Sequence, residues 1–407
     1  MRILVHDFAG HPFQVQLSRA LARRGHTVLH AYCASLPTTP QAMAVAPDDP
    51  DGFEIRGLAL PESIDKQAFV KRWRQERAYG RLAAATLRDF LPDVVLSANT
   101  PLDAQQSLLK VSREVNARFV FWVQDLIGLA AERLLRAKIP VAGAIVGAHY
   151  ARMERSLLER SDALVLITDD FRDAVPAIRA HADAHVIPNW APLDEVPPQP
   201  RDNGWAQAQQ LPDGLRFVYS GTLGMKHNPA LLLGLAERFP EAEVVVISQG
   251  AGSEWLRERQ ATVPNLRLLP FQPFDDLPDV LGAADVLVAV LEPDAGVFSV
   301  PSKVLTYLCA GRPLLLAVPP ENLAARIVAE HDAGLVAPPT DADAFLTAAE
   351  ALAIDASRRA RLGANARAYA EAHFHIETIA DRFEAVLIEP LSPPRPSASH
   401  ARPAPQR

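Results

Sequence analysis

MRILVHDFAGHPFQVQLSRALARRGHTVLHAY (residues 1–32) decides the fold. It opens on a short apolar run, RILVH (2–6). That run is too brief for the roughly 7–15-residue core of a secretory signal, and it reads as a strand that starts at once. A polar, glycine-containing turn follows, HDFAGHPFQ (6–14). Phe13 to Arg24 then carries apolar residues at helical spacing, and Gly25 stands where a helix ends. TVLHAY (27–32) is a second apolar run. Strand, loop, helix and strand in this order make the unit from which parallel sheets are built.

The alternation continues through DVVLSA (93–98), RFVFWV (118–123) and ALVLIT (163–168), with a helix expected over Pro101 to Val115. It stops at residues 190–214, which hold five prolines, and restarts with RFVYSG (216–221), EVVVIS (243–248), LRLLPF (266–271), DVLVAVL (285–291) and RPLLLAV (312–318). Helical patterns near 341–354 and 356–388 follow. Apolar strands without polar alternation imply sheets covered on both faces. The fold class is therefore α/β, with two successive doubly wound, Rossmann-like units. Loops at the C-terminal strand ends of both should line a cleft between them. The expected divisions are an N-terminal unit over 1–189, a linker over 190–214, a second unit over 215–370 and a returning helix over 371–389. A disordered tail over 390–407 should follow, since six of its 18 residues are proline.

Composition narrows the function. Lys and Arg number 41 against 48 Asp and Glu, a net charge of -7, so a generally basic nucleic-acid binder is excluded. The division is uneven: residues 1–190 hold 23 basic and 21 acidic side chains (+2), and residues 191–407 hold 18 and 27 (-9). Two distant cysteines, Cys33 and Cys309, make no disulfide framework and fit a reducing, cytoplasmic compartment. No stretch has the roughly 18–20 apolar residues of a membrane span; IPVAGAIVGAH (139–149) comes nearest and is interrupted by proline and glycine. Residues 66–88 hold seven basic side chains against Glu76 alone: Lys66, Lys71, Arg72, Arg74, Arg77, Arg81 and Arg88, with Trp73 among them. This segment reads two ways, as a surface for anionic lipid or a lipid diphosphate, or as a solvated helix face whose arginines reach for water.

Candidate chemistry sits in the strand-end loops. In LEPDAGVFSVPSKVLTYLCAGRPLLLAV (291–318), Ser299, Pro301 and Ser302 suit a helix start, whose free N–H groups favour a diphosphate, with Lys303 in the first turn. In VYSGTLGMKHNPALLLGLAERF (218–239), Gly221 and Gly224 allow close backbone approach beside Thr222, and Lys226 can offset charge on a departing phosphate. Gly10, His11, Asn99, Thr100, Gln124, Asp125 and Gly128 end strands of the first unit. Asp7 and Asp125 read equally as helix caps and as groups that touch a ligand. H-E-x-x-H, C-x-x-C, Walker A and G-x-G-x-x-G motifs are absent, which disfavours metal and dinucleotide chemistry.

Taken together, four stretches resemble the GT-B glycosyltransferases of family 4, which are retaining and nucleotide-sugar dependent. They are residues 1–30, VIPNW (186–190), SGTLGMKHNP (220–229) and VPSKVLTYLCAGRPLL (300–315). The PSK form and WVQD (122–125) look most like bacterial enzymes of colanic-acid, capsule and O-antigen assembly. The resemblance implies a UDP- or GDP-sugar donor, a lipid-linked or saccharide acceptor, no metal, and a site on the cytoplasmic face of the inner membrane. It implies that Lys226 contacts the donor diphosphate, that Gly10 and His11 lie near the reacting sugar, and that Ser302 and Lys303 hold phosphates. Phe271 and Gln272 would lie near the base, and Asp125 joins His11 and Lys226 as a catalytic candidate. The chain departs from the pattern where the family carries two glutamates, here Gly296 and Thr306, and where an arginine precedes the lysine, here Thr222. A nucleotide-sugar 2-epimerase and a non-catalytic scaffold of a polysaccharide assembly complex are the competing readings.

Overall fold

The structure is a computed structural model and describes residues 1–36, 43–65, 68–139, 141–224, 227–291 and 301–388. Two all-parallel sheets organise it. The first has seven strands: β1 (Arg2–Asp7), β2 (Thr27–Cys33), β3 (Phe53–Leu58), β4 (Val94–Ala98), β5 (Arg118–Val123), β6 (Ala163–Leu166) and β7 (Ala184–Val186), in the order β3-β2-β1-β4-β5-β6-β7. The second has six: β8 (Arg216–Ser220), β9 (Glu243–Ile247), β10 (Leu266–Leu269), β11 (Val286–Val290), β12 (Leu314–Ala317) and β13 (Gly334–Ala337), in the order β10-β9-β8-β11-β12-β13. In each sheet the chain runs outward from a central strand, then crosses back to its other side. The crossing points lie between β1 and β4 and between β8 and β11, where ligands of open α/β sheets collect. The register sets Asp7 beside Ala98 and Val218 beside Leu287.

All ten strands expected from the sequence are present. The three that the apolar runs do not announce, β3, β7 and β13, are sheet edges. β3 alternates half-buried and exposed positions, and no residue of β7 is fully buried. β3 and β7 thus lack the signature of central strands such as β4 and β5, which are buried throughout, while β13 is apolar but only four residues long.

The proline-rich stretch 190–214 carries no strand, but it is packed. Trp190, Leu193, Val196, Trp205 and Leu211 are buried. Asn203 caps the short helix Gly204–Ala208 by accepting the Ala206 N–H. Trp190 stacks on Trp122 with ring centres 5.8 Å apart and donates its Nε1–H to Gln16. The helical pattern over 356–388 divides into two helices, Ala356–His373 and Ile376–Ile388, which break at Phe374 and His375. The last helix returns to the first unit and lies against the helix Pro12–Arg23. Phe383 meets Trp122 and Trp190, Arg24 reaches Glu377, Asp381 and Glu384, and His26 lies 2.8 Å from Glu384. Cys33 and Cys309 are buried, one in each unit. No described helix is long and apolar enough to cross a membrane. The expected tail, 390–407, lies outside the described residues.

Candidate active site

At the end of β1 the chain turns on Asp7, whose buried carboxylate gathers the loop after it. It accepts the backbone N–H groups of Ala9 (3.1 Å) and His11 and the Asn99 side-chain amide (3.3 Å), and it lies 3.3 Å from His11 Nδ1. Gly10 takes a φ of 71° within this turn, a left-handed conformation that suits glycine. Asp7 is thus a cap for the loop that launches the helix Pro12–Arg23, with His11 at the N-cap position and Pro12 opening the helix. Burial would raise the Asp7 carboxyl, but the charge and hydrogen bonds of His11 hold it below its usual value. Burial works against a charge on His11, yet Asp7, aided by the more distant Asp125, raises its pKa. The pair is therefore a buried carboxylate with a partly exposed imidazole biased toward its protonated form. Behind it, His6 bonds Thr100 (2.9 Å) and Tyr79 (2.9 Å), and burial lowers its pKa to about 4, so that imidazole is neutral.

The loop after β5 carries Gln124 and Asp125. Gln124 and Asn189 exchange a reciprocal pair of amide hydrogen bonds at 3.0 and 2.6 Å, which ties this loop to the start of the connection between the units. Asp125 is exposed just ahead of the next helix, Ile127–Lys138, whose N-cap residue, Leu126, supplies no side-chain cap. That cap comes from Glu154, which accepts the N–H groups of Gly128 (2.8 Å) and Leu129 (3.2 Å). Burial pushes its carboxyl up to about 7, against the backbone donors that favour its charged form. Nothing local in the sequence marks Glu154: it acts on a helix 26 residues upstream.

In the second unit, β8 ends at Ser220, whose N–H and carbonyl are both held by the Tyr307 hydroxyl at 2.8 and 2.9 Å. Gly221 follows with φ 135°. A Cβ there would come within 2.8 Å of Lys303 Nζ, because the lysine lies across the glycine. Lys303 Nζ donates to the Tyr219 hydroxyl at 2.6 Å and sits 3.9 Å from the centre of that ring. Among the described residues no carboxylate pairs with it, and burial lowers its pKa to about 7. The lysine lies in the first turn of the helix Ser302–Cys309, in which Ser302 is the first helical residue and Pro301 the cap. A partly buried lysine without a carboxylate partner among the described residues, beside a glycine turn and a helix N-terminus, is suited to a phosphate. Thr222 is exposed, and its carbonyl accepts the Tyr219 hydroxyl. Gly224 is tied to His227, whose Nδ1 accepts the Gly224 N–H at 2.9 Å. Gln272 accepts Trp205 Nε1–H at 3.0 Å, Phe271 is exposed, and Thr306 faces its own helix, 3.5 Å from the Ser302 carbonyl. Lys226, Ser299 and Gly296 lie outside the described residues. No group of three His, Cys, Asp or Glu side chains among the described residues has metal-ligand spacing.

The basic segment forms most of the helix Phe69–Phe90, and the fold supplies partners that its local sequence lacks. Lys71 pairs with Glu62 (2.9 Å), Arg72 with Glu76 (2.7 Å), Arg77 with Asp103 (3.9 Å) and Arg88 with Glu114 (2.7 Å). Arg77 also stacks over Trp73 at 4.9 Å, while Arg74 has no ion pair among the described residues. Lys66 lies outside them.

Two doubly wound units, with switch-point loops bearing a His–Asp pair on one and a glycine–lysine turn on the other, define a GT-B architecture. Residues 11–190 match the model of the glycosyl transferase 4-like domain, and residues 216–355 match that of the glycosyl transferases group 1. The chain belongs to the GT-B-fold glycosyltransferases related to family 4. It is 24% identical over 241 residues to the colanic acid biosynthesis glycosyl transferase WcaI of Escherichia coli, a match covering 55% of this chain and 57% of that relative. Among solved structures it is similar to sucrose-phosphate synthase from Thermosynechococcus elongatus, with a TM-score of 0.75 and 17% identity over 95% of this chain and 98% of that one. It is also similar to Anabaena HepE in complex with UDP-glucose, with a TM-score of 0.70 and 13% identity over 95% and 99%.

Proposed function

We propose that the protein is a retaining transferase that moves a sugar from a UDP- or GDP-sugar to an acceptor hydroxyl during assembly of a bacterial surface polysaccharide. The observation that carries this reading is Lys303 lying across Gly221, with no carboxylate partner among the described residues, beside the start of the helix Ser302–Cys309. A diphosphate entering there supplies the missing counter-charge and meets the free N–H groups of the helix. Phe271 and Gln272 flank the base, Thr306 stands on the side of the ribose, and Ser299, Thr222 and Gly224 complete the donor loops. UDP-glucose in HepE supports a donor of this kind, and the likeness to WcaI supports the pathway.

In the reaction the anomeric C–O bond breaks and its electron pair passes to the departing diphosphate. The acceptor oxygen forms the new bond on the same face and gives its proton to that phosphate. Lys226 offsets the growing charge. The Gly10 turn and His11, held by Asp7, face the sugar, and Asp125 orients the acceptor. The acceptor is lipid-linked, which places the enzyme on the cytoplasmic face of the inner membrane. Steady-state turnover of a UDP- or GDP-sugar by Lys226→Ala tests the scheme: the rate should fall by about 10²-fold or more, as on loss of one oxyanion donor. Near-normal turnover overturns the lysine's role, and a wild-type protein stabilised by none of these donors overturns the function.

A further inference from the structure

We propose that the protein docks on anionic lipid bilayers through an apolar rim that two separate helical elements build at one height. The first is the hairpin of Ile127–Lys138 and Ala142–Arg160. Its helices are interlocked: a Cβ at Gly128 would meet the Tyr150 carbonyl, at Gly147 the Glu132 backbone, and at Gly143 the Leu135 carbonyl. Glu154 caps the first helix just past the end of β5, so residues 142–154 overhang that sheet edge. Twelve residues at 1.5 Å each give an overhang of about 18 Å.

The second element is the start of the helix Phe69–Phe90. This helix and Ala142–Arg160 both lead into strands of one parallel sheet and lie in the same layer, with Leu102–Glu114 between them. Asp103 on that middle helix levels the two, lying 3.9 Å from Arg77 and 3.2 Å from Tyr150. Phe69 stands eight residues above Arg77, and Ala142 eight above Tyr150. Both ends therefore rise about 12 Å above the tie. Phe69 and Val70 at one end, and Leu134, Ile139, Val141 and Ile145 at the other, are each more than half exposed. A rim of large apolar side chains in water marks an interaction surface.

Charge selects the occupant. Arg74 and Arg136, next to the two groups, are exposed and have no ion pair among the described residues. A second copy brought rim to rim would set like charges together, whereas anionic headgroups complement them. The rim stands on the strand-end side of the sheet, where His11 and Asn99 lie, so docking turns the cleft toward the lipid surface.

This inference extends the proposed lipid-linked acceptor to a surface. Its test needs no turnover, so its failure is distinguishable from failure of the transferase reading. The wild type and the double variant Val141→Glu/Ile145→Glu are sedimented with vesicles of phosphatidylglycerol and phosphatidylcholine in equal parts, and of phosphatidylcholine alone. The wild type should bind the anionic vesicles preferentially, and the variant about tenfold or more weakly. Arg74→Glu/Arg136→Glu should lose the anionic preference. Unchanged circular dichroism and an unchanged thermal shift with UDP-glucose establish that each variant is folded. Absence of wild-type binding, equal binding to both vesicles, or undiminished binding by Val141→Glu/Ile145→Glu overturns the proposal. So does a wild-type dimer in sedimentation velocity that this variant dissociates.

Discussion

Lys303→Met keeps the length of the side chain and removes its charge, and the structure sets the scale of the effect. Burial lowers the Lys303 pKa to about 7, so near pH 8 about nine-tenths of the free protein carries a neutral amine there. A bound diphosphate should recharge it. The diphosphate of a nucleotide sugar has no group that titrates near neutrality, so the proton must come from solvent, about 0.9 per donor at that pH. Calorimetric titration with UDP-glucose or GDP-mannose in buffers of differing ionisation enthalpy reads this number as a slope. Affinity should fall as the pH rises above 7. In Lys303→Met the uptake should vanish and affinity should drop about ten- to a hundredfold, the worth of a charge-assisted hydrogen bond of about 1.5–3 kcal/mol. Donor binding whose enthalpy is the same in every buffer near pH 8, or a variant with wild-type affinity, would refute the argument.

Two further outcomes follow from the first unit. The depressed pKa of Asp7 contributes stability present above its unfolded value and lost as pH falls, and the raised pKa of His11 contributes stability present below its unfolded value and lost as pH rises through the folded one. Asp7→Asn should therefore destabilise by about 1–3 kcal/mol near pH 5 and by less in mildly alkaline solution; urea melts with the same gap at both pH values would contradict the pairing. Glu154→Ala strips the caps from Gly128 and Leu129 and should lower the thermal midpoint by about 2–4 °C, with Glu154→Gln intermediate. An unchanged midpoint would remove the capping role.

What the sequence made legible was local. Strands buried on both faces announce themselves because most of their residues are apolar in one run, and the glycine turns at Gly10 and Gly221 follow directly from strands that stop. β3 and β7 escaped because these edge strands carry mixed patterns, and β13 because its apolar run, GLVA, is only four residues long. Pairings made across the fold also escaped: Asp7 with Asn99 over 92 residues, Gln124 with Asn189 over 65. The basic helix shows the same limit from the other side. Its own segment offered only Glu76, and tertiary contacts brought Glu62, Asp103 and Glu114 to its lysine and arginines.

The returning helix Ile376–Ile388 bears on how the protein is made. Arg24 and its partner Glu384 are 360 residues apart, so the outer layer over the first sheet leaves the ribosome long after the sheet itself. At about 5–20 residues per second the first unit, complete near residue 189, waits roughly 10–40 s for that cover. During this interval the apolar faces of Trp122 and Trp190, which Phe383 later closes, are open to chaperones, to neighbouring nascent chains and to proteases.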